Sequence, residues 1–339
     1  MLDQTLTRRT FLRQTFAYSA AALGSSLLGF GDAPTVIANP TKQVNHLLMV
    51  GDWGTEGNLP AQTAVAQSMQ TYMAAQKINV EALLMLGDNF YGPLQGTDDT
   101  RWQTQFEQMY PASVFNCPAY AIPGNHDYEH FPNPKYPYEL QYAQRTGTRW
   151  TMPSQWYTFT FPTINPLVTV IALDSNMPFT DGTSRHGTFY CMTDQMRQDQ
   201  LEWLTLELQK PRTTPFTVVM GHHPVYSNGI HGDNPTLIKD WDPLLRQYGV
   251  HIYLGGHDHD MQHLEFAGHP TSFFLSGGGG ANSYPLPATP NHNGQYAQQV
   301  YGFSHMEATA TLLTLRHIDV SGKVLHAFTK AKDSTVTIL

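Results

Sequence analysis

The sequence predicts an α/β fold built on a sheet whose inner strands are buried on both faces. Three observations predict it. Five short apolar runs each end in glycine followed by polar residues. Segments with helical character lie between them. The chain is 41% hydrophobic and 12% aromatic, enough apolar material for one large core or two small ones, whereas a disordered chain would be poorer in aromatics.

Taken in order, residues 1–38 read as an address. Thr7-Arg8-Arg9-Thr10-Phe11-Leu12-Arg13 resembles a twin-arginine export motif. The stretch from Phe16 to Phe30 is weakly apolar and rich in Ala, Gly and Ser, too short for a stable membrane span. Val36-Ile37-Ala38 offers a cleavage site. The expectation is a removable signal peptide over 1–38, export through the twin-arginine machinery, and a periplasmic or secreted protein. Residues 39–339 then form a single domain, since neither a repeat nor a second boundary is visible.

Val44 to Val50 runs into Gly51-Asp52-Trp53-Gly54, and Ala82 to Leu86 into Gly87-Asp88-Asn89. Pro118 to Pro123 runs into Gly124-Asn125-His126-Asp127. Phe216 to Met220 runs into Gly221-His222-His223-Pro224, and Val250 to Leu254 into Gly255-Gly256-His257-Asp258-His259. Apolar runs of this length bounded by glycine read as buried strands. Helices are expected over Ala61–Gln76, over Asp194–Lys210 with Leu201, Leu204 and Leu208 at helical spacing, and over Pro235–Tyr248. Further strands are expected at Thr271–Leu275, Phe303–Leu315 and Lys323–Phe328, antiparallel, with a turn at Ser321-Gly322. Ser276-Gly277-Gly278-Gly279-Gly280 repeats the strand-then-glycine pattern and reads as a tight loop beside the site.

In α/β sheets ligand sites gather at the carboxyl ends of strands, so the five motifs should converge at one sheet edge. They deliver two Asp, one Asn, three His and Tyr91. Carboxylate, amide oxygen and imidazole together suit borderline or hard cations. Seven groups are too many for one tetrahedral zinc, and fit two adjacent metals if one Asp bridges.

The blocks GDWG, GDNFY, GNHD, VVMGHHPVYS and GGHDHD resemble the five motifs of the metallophosphoesterases. GDNFY, with Tyr91, is similar specifically to the small, mammalian-type purple acid phosphatases, and the likeness extends from about Leu47 to Lys330. The resemblance implies a four-layer sandwich of two mixed β-sheets flanked by helices. It implies that Asp52, Tyr91 and His259 bind Fe(III), that Asn125, His222 and His257 bind a divalent Fe, Zn or Mn, and that Asp88 bridges them. His126 and His231 fall at the positions that orient substrate and protonate the leaving group, and Asp127 at one that orients a neighbouring imidazole. The activity implied is hydrolysis of phosphate monoesters, on small molecules or phosphoproteins, by a metal-activated hydroxide.

His223 departs from that pattern, standing where an aromatic residue is usual, and reads as a packed, hydrogen-bonded histidine. The loop between Asp174 and Asp194, with Asp181, Arg185 and His186, matches a variable loop that covers the site in relatives. His130, His186, His251, His263, His269, His292, His305, His317 and His326 read as structural or surface residues, His263 being closest in sequence to the HxH block. Cys117 and Cys191 either form one disulfide or stay buried and inert. A net charge of −8, with no basic run after Arg13, argues against nucleic acid as a partner. Two other readings remain: a phosphodiesterase or nucleotidase with a Mn or Zn pair that leaves Tyr91 unbound, and a periplasmic metal- or phosphate-binding protein without turnover.

Overall fold

The computed structural model describes residues 44–55, 59–129, 134–180 and 191–339. The leader and the segment carrying Asp181, Arg185 and His186, together with His130, lie outside the described residues. The strands run β1 (Asn45–Val50), β2 (Ala82–Met85), β3 (Ala119–Ala121), β4 (Trp150–Thr151), β5 (Tyr157–Phe161), β6 (Val168–Ala172), β7 (Phe216–Met220) and β8 (Ile252–Gly255). They continue as β9 (Met261–Leu264), β10 (Ser272–Ser276), β11 (Tyr296–Gln298), β12 (Gly302–Ala308), β13 (Leu312–Asp319), β14 (Val324–Ala331) and β15 (Val336–Ile338).

These strands make two mixed sheets, as the resemblance implies. The first has the order β15-β14-β13-β12-β1-β2-β3-β4, the second β11-β9-β10-β8-β7-β6-β5. The parallel centre of the first is β1-β2-β3-β4, and that of the second is β6-β7-β8-β10. Side chains of the central strands alternate between two buried faces, as period-two geometry requires. Leu47 and Met49 of β1, Leu84 of β2, Val218 and Met220 of β7 and Ile252 and Leu254 of β8 fill the space between the sheets. Their neighbours Leu48, Val50, Leu83 and Met85 face an outer core with Val65 and Met69 of helix Leu59–Gln76 and an aromatic group including Trp53, Phe90, Trp102 and Trp150. Val219 and Tyr253 face the opposite outer core with Leu204, Leu208, Leu237, Trp241 and Leu245. The result is helix, sheet, sheet, helix.

Several sequence expectations are corrected in detail. The helix expected over Pro235–Tyr248 is two short helices, Pro235–Asp240 and Asp242–Gln247. Pro243 lies at the junction and lacks the N–H that a continuous helix would need. The strand expected over Phe303–Leu315 is the hairpin β12–β13, turned at Thr309, whose N–H donates to the Leu312 carbonyl at 2.9 Å. The strand at Thr271–Leu275, β10, is antiparallel to β9 but parallel to β8. Helix Asp194–Gln209 starts as expected, Thr193 accepting from the Met196 N–H as N-cap. Cys117 and Cys191 are not joined, and burial pushes the Cys117 thiol up to about 11. Among the described residues, no helix is long and apolar enough to cross a membrane.

Candidate metal centre

The carboxyl ends of the parallel strands of both sheets meet, and the five motifs lie there. β1, β2 and β3 of the first sheet lead into Asp52, Asp88 and Asn125; β7 and β8 of the second lead into His222 and into His257 with His259. The site thus straddles two sheets where residue-level reasoning expected one edge of one sheet.

The side chains of Asp52, Tyr91 and His259 form one group. Tyr91 Oη lies 3.4 Å from Asp52 Oδ1 and 3.1 Å from His259 Nε2, and Asp52 Oδ1 lies 3.5 Å from His259 Nε2. Asn125, His222 and His257 form a second group, Asn125 Oδ1 standing 3.1 Å from His222 Nε2 and 3.0 Å from His257 Nδ1. Asp88 touches both. Its Oδ2 accepts from Tyr91 Oη at 2.9 Å, while its Oδ1 lies 3.4 Å from His222 Nε2. Asp52, Asp88 and His259 bring one donor atom each within 4.8 Å of one another.

Outer contacts fix which imidazole nitrogens face inward. His222 Nδ1 is 2.8 Å from the Leu86 carbonyl and His259 Nδ1 is 2.6 Å from the Asn282 carbonyl. Each Nδ1 must therefore carry its hydrogen, which leaves Nε2 as the nitrogen aimed at the cluster. Asp52, Asp88 and His257 have φ of 59°, 50° and 70°. Left-handed backbone at non-glycine residues costs about 1–3 kcal/mol each and persists where the surroundings over-determine it. Gly124 permits a close approach: a β-carbon there would lie 2.2 Å from Asp88 Oδ1. The Gly277–Gly280 loop packs on the first motif as expected, Gly279 N–H donating to the Gly51 carbonyl and Ala281 N–H to that of Asp52.

Burial raises Asp52, while His222 and His259 oppose it. Asp88 is held well below the usual carboxylate range: burial works against this, but His222 and His126 outweigh it. Burial also opposes charge on His222, yet Asp88 and Asp52 push it up to about 10. Burial, then Asp88 and Asp52, push the Tyr91 phenol well above its ordinary value. Two buried carboxylates, a phenol and inward-facing imidazole nitrogens in this space fit bound cations, which would take the place of the proton on His222 and satisfy all of them at once.

His126 and His231 flank the cluster. The His126 ring lies 4.1 Å from that of Tyr91, and the His231 ring 4.2 Å from that of His257. His126 Nδ1 meets Glu129 Oε1 at 2.8 Å; Glu129 is also held by Lys135 at 3.0 Å. Asp127 does not orient an imidazole, contrary to expectation. It accepts from the backbone N–H groups of Gly124, Asn89 and Phe90, tying the second motif to the third. His223 is 1% exposed, with Nδ1 2.7 Å from Ser175 Oγ, and so packs as expected. A cleft of about 300 Å³ opens beside the cluster, lined in part by His231, His257, Phe179, Pro224 and Asp233.

Sequence reasoning missed Ser175, Glu129, Asp258 and Tyr284. Tyr284 stacks on His259 at 4.5 Å. Ser175 follows β6, an apolar run like the other five but without the terminal glycine used to find them.

Residues 46–261 match the family model of the calcineurin-like phosphoesterases. Tartrate-resistant acid phosphatase type 5 of Oryctolagus cuniculus is 32% identical, over 85% of this chain and 90% of that protein. The Mus musculus protein of the same name is 31% identical, over 88% and 92%. This chain is a member of the calcineurin-like phosphoesterases, in their purple acid phosphatase branch. Purple acid phosphatase 4 of Arabidopsis thaliana is 27% identical, over 87% of the chain and 85% of its own length. Among solved structures, a purple acid phosphatase from yellow lupin (Lupinus luteus) seeds superposes with a TM-score of 0.65 at 16% identity, covering 86% of this chain and 55% of that one. GAP50, described as the anchor in the inner membrane complex of Plasmodium, superposes with a TM-score of 0.70 at 21% identity, covering 84% and 87%. These two likenesses bear on the fold alone, which both structures share with this chain.

Proposed function

We propose that this purple acid phosphatase relative is an exported acid phosphatase that hydrolyses phosphate monoesters at a two-metal centre. The observation that carries the proposal is Asp88, whose two oxygens face the two donor groups separately. Asp52, Tyr91 and His259 would hold Fe(III), since a phenolate donor favours a hard, oxidised ion. Asn125, His222 and His257 would hold a divalent Fe, Zn or Mn, with Asp88 shared. When bound, the pair supplies charge neutralisation for the phosphate and an activated water, at lower pH than two divalent ions would.

The chain's own residues do the rest. Phosphoryl transfer asks mainly for positioning and electrostatics. His126, close to Asp88 and Tyr91, orients the phosphate. His231, on the cleft wall, protonates the leaving oxygen. The cleft admits the alcohol portion of a small ester or of a phosphorylated side chain. The position of Tyr91 within the first donor group favours iron over the Mn- or Zn-dependent phosphodiesterase reading.

The test is hydrolysis of p-nitrophenyl phosphate at acidic pH by metal-loaded protein. Turnover is expected; its absence would favour the non-catalytic binding protein. Residues 1–38 are proposed as a twin-arginine leader to the periplasm or exterior, with 39–339 as the mature domain. Paired arginines directly before an apolar stretch support this. Unchanged export after Arg8→Lys with Arg9→Lys would refute it.

A further inference from the structure

Asp258 stands between two candidate ligands, His257 and His259, yet its carboxylate is engaged elsewhere. Its Oδ1 accepts from His231 Nδ1 at 2.6 Å and from the His231 backbone N–H at 3.3 Å. Its Oδ2 accepts from the Ser227 hydroxyl. Ser227 Oγ in turn accepts from the Gly229 N–H at 2.8 Å and from Gln262 Nε2 at 2.9 Å. Gln262 is fully buried and its Oε1 holds the Asn228 N–H at 2.7 Å. Asp258 is 1% exposed, whereas the His231 side chain is 39% exposed and lines the cleft. A β-carbon at Gly229 would lie 2.3 Å from Asp258 Cγ, so the chain from Ser227 to His231 wraps this carboxylate only because glycine stands there.

Both Asp258 oxygens act as acceptors, so the hydrogen on the short contact belongs to His231 Nδ1. A histidine whose one nitrogen is committed to a buried carboxylate presents the other to solvent or substrate. We propose that Asp258 is a positioning residue, braced by Ser227 and Gln262, that fixes His231 as its Nδ1–H form and aims Nε2 into the cleft. This rests on the phosphatase reading. In the reaction the ester P–O bond breaks with its electron pair on the ester oxygen. That oxygen takes the Nε2 proton of the doubly protonated ring, which is left as the Nδ1–H form, and departs as the alcohol. Water supplies the new P–O bond, and a proton it releases returns to Nε2. His126 has its own carboxylate, Glu129, at 2.8 Å, but lies on the Tyr91 side of the cluster and is not among the residues lining the cleft.

The alternative is that Asp258 merely staples two loops together. Leaving groups separate the two roles. p-Nitrophenolate departs with little help from a proton, whereas an alkoxide needs it. In Asp258→Asn, kcat for glycerol 2-phosphate should fall about 10–100-fold, up to the lower limit for a lost general acid, since His231 itself remains. With p-nitrophenyl phosphate the fall should stay near threefold or less, on the same argument. Metal content and both KM values should hold. Ser227→Ala, further from the ligands, should show the same pattern more weakly. Asp258→Asn should add nothing to His231→Ala. In imidazole ¹⁵N spectra of zinc-loaded protein, His231 should be the Nδ1–H form. Equal losses on both esters, additive losses in the double variant, or an Nε2–H form in the wild type would each overturn the proposal. Wild-type protein that hydrolyses neither ester would overturn the phosphatase reading; an active wild type with ester-independent losses would overturn only the role of Asp258.

Discussion

The rings of His126 and Tyr91 stand 4.1 Å apart and those of His231 and His257 4.2 Å, but the outer member of each pair is held differently from the inner one. The inner groups sit at strand ends. Asp52, Asp88, Asn125, His222, His257 and His259 are all buried, and three of them have left-handed backbone. The outer histidines are held by carboxylates, Glu129 on a loop and Asp258 from the motif after β8, and remain partly exposed at 23% and 39%. The sheets therefore fix where cations would sit, while side-chain bonds fix where protons would move. Strain is concentrated in the inner layer and adjustability in the outer one.

Breaking the inner layer should have the largest effect. Asp88→Ala removes the side chain whose two oxygens face the two donor groups separately. Metal-centre stabilisation of several kcal/mol corresponds to a loss of about 10³-fold in kcat/KM, accompanied by loss of bound metal. Steady-state kinetics with metal analysis checks this; a variant that keeps two metals and most activity would remove Asp88 as the bridge. Breaking the outer layer should cost less. His231→Ala should lower kcat about 10²-fold for alkyl esters with metal content intact. Loss of metal in that variant would show that the two layers are not separable.

Tyr91→Phe sharpens the inner layer further. It should abolish absorption in the middle of the visible range and weaken the first metal about tenfold, at the lower end of effects seen for groups that tune a site. An unchanged spectrum would place Tyr91 outside the donor set.

The smallest effect is on stability. Asp174, after β6, is fully buried, and burial pushes its carboxyl up to about 6 from 3.8, against hydrogen bonds from Tyr128 and Asn176. The native chain then holds a proton that the unfolded chain has lost. On this group's account stability is greatest below about pH 4, falls as pH rises to about 6, and is level above that. The difference is on the order of 3 kcal/mol. Denaturant unfolding of Asp174→Asn between pH 4 and 7 should show a flatter profile than wild type; an equal slope would exonerate Asp174.

The inner layer was legible in the sequence because its signal is local. An apolar run, a glycine and a polar residue mark a buried strand and the group at its end, and five repeats singled out six candidate donors that the fold brings together. Tyr91 came from its position in GDNFY. What was not legible depends on pairing and on loops. Nothing in the runs says that β1–β3 and β7–β8 belong to different sheets. β6 lacked the glycine mark, so Asp174 figured only as a loop boundary and Ser175 passed unnoticed. Asp127 was expected on an imidazole because it neighbours one in sequence, but three backbone N–H groups lie closer to its oxygens in space. Asp258 could not be paired with His231 across 27 positions without the fold. Pro243 was the one visible sign that the helix over Pro235–Tyr248 would break.

The most direct test of the two-metal account is a metal analysis of the purified wild-type protein together with its visible spectrum. The account predicts two metal ions per chain, at least one of them iron, and a band near the middle of the visible range. A colourless protein with two zinc ions would contradict the role of Tyr91, and a chain that binds one metal or none would contradict the two-metal centre itself.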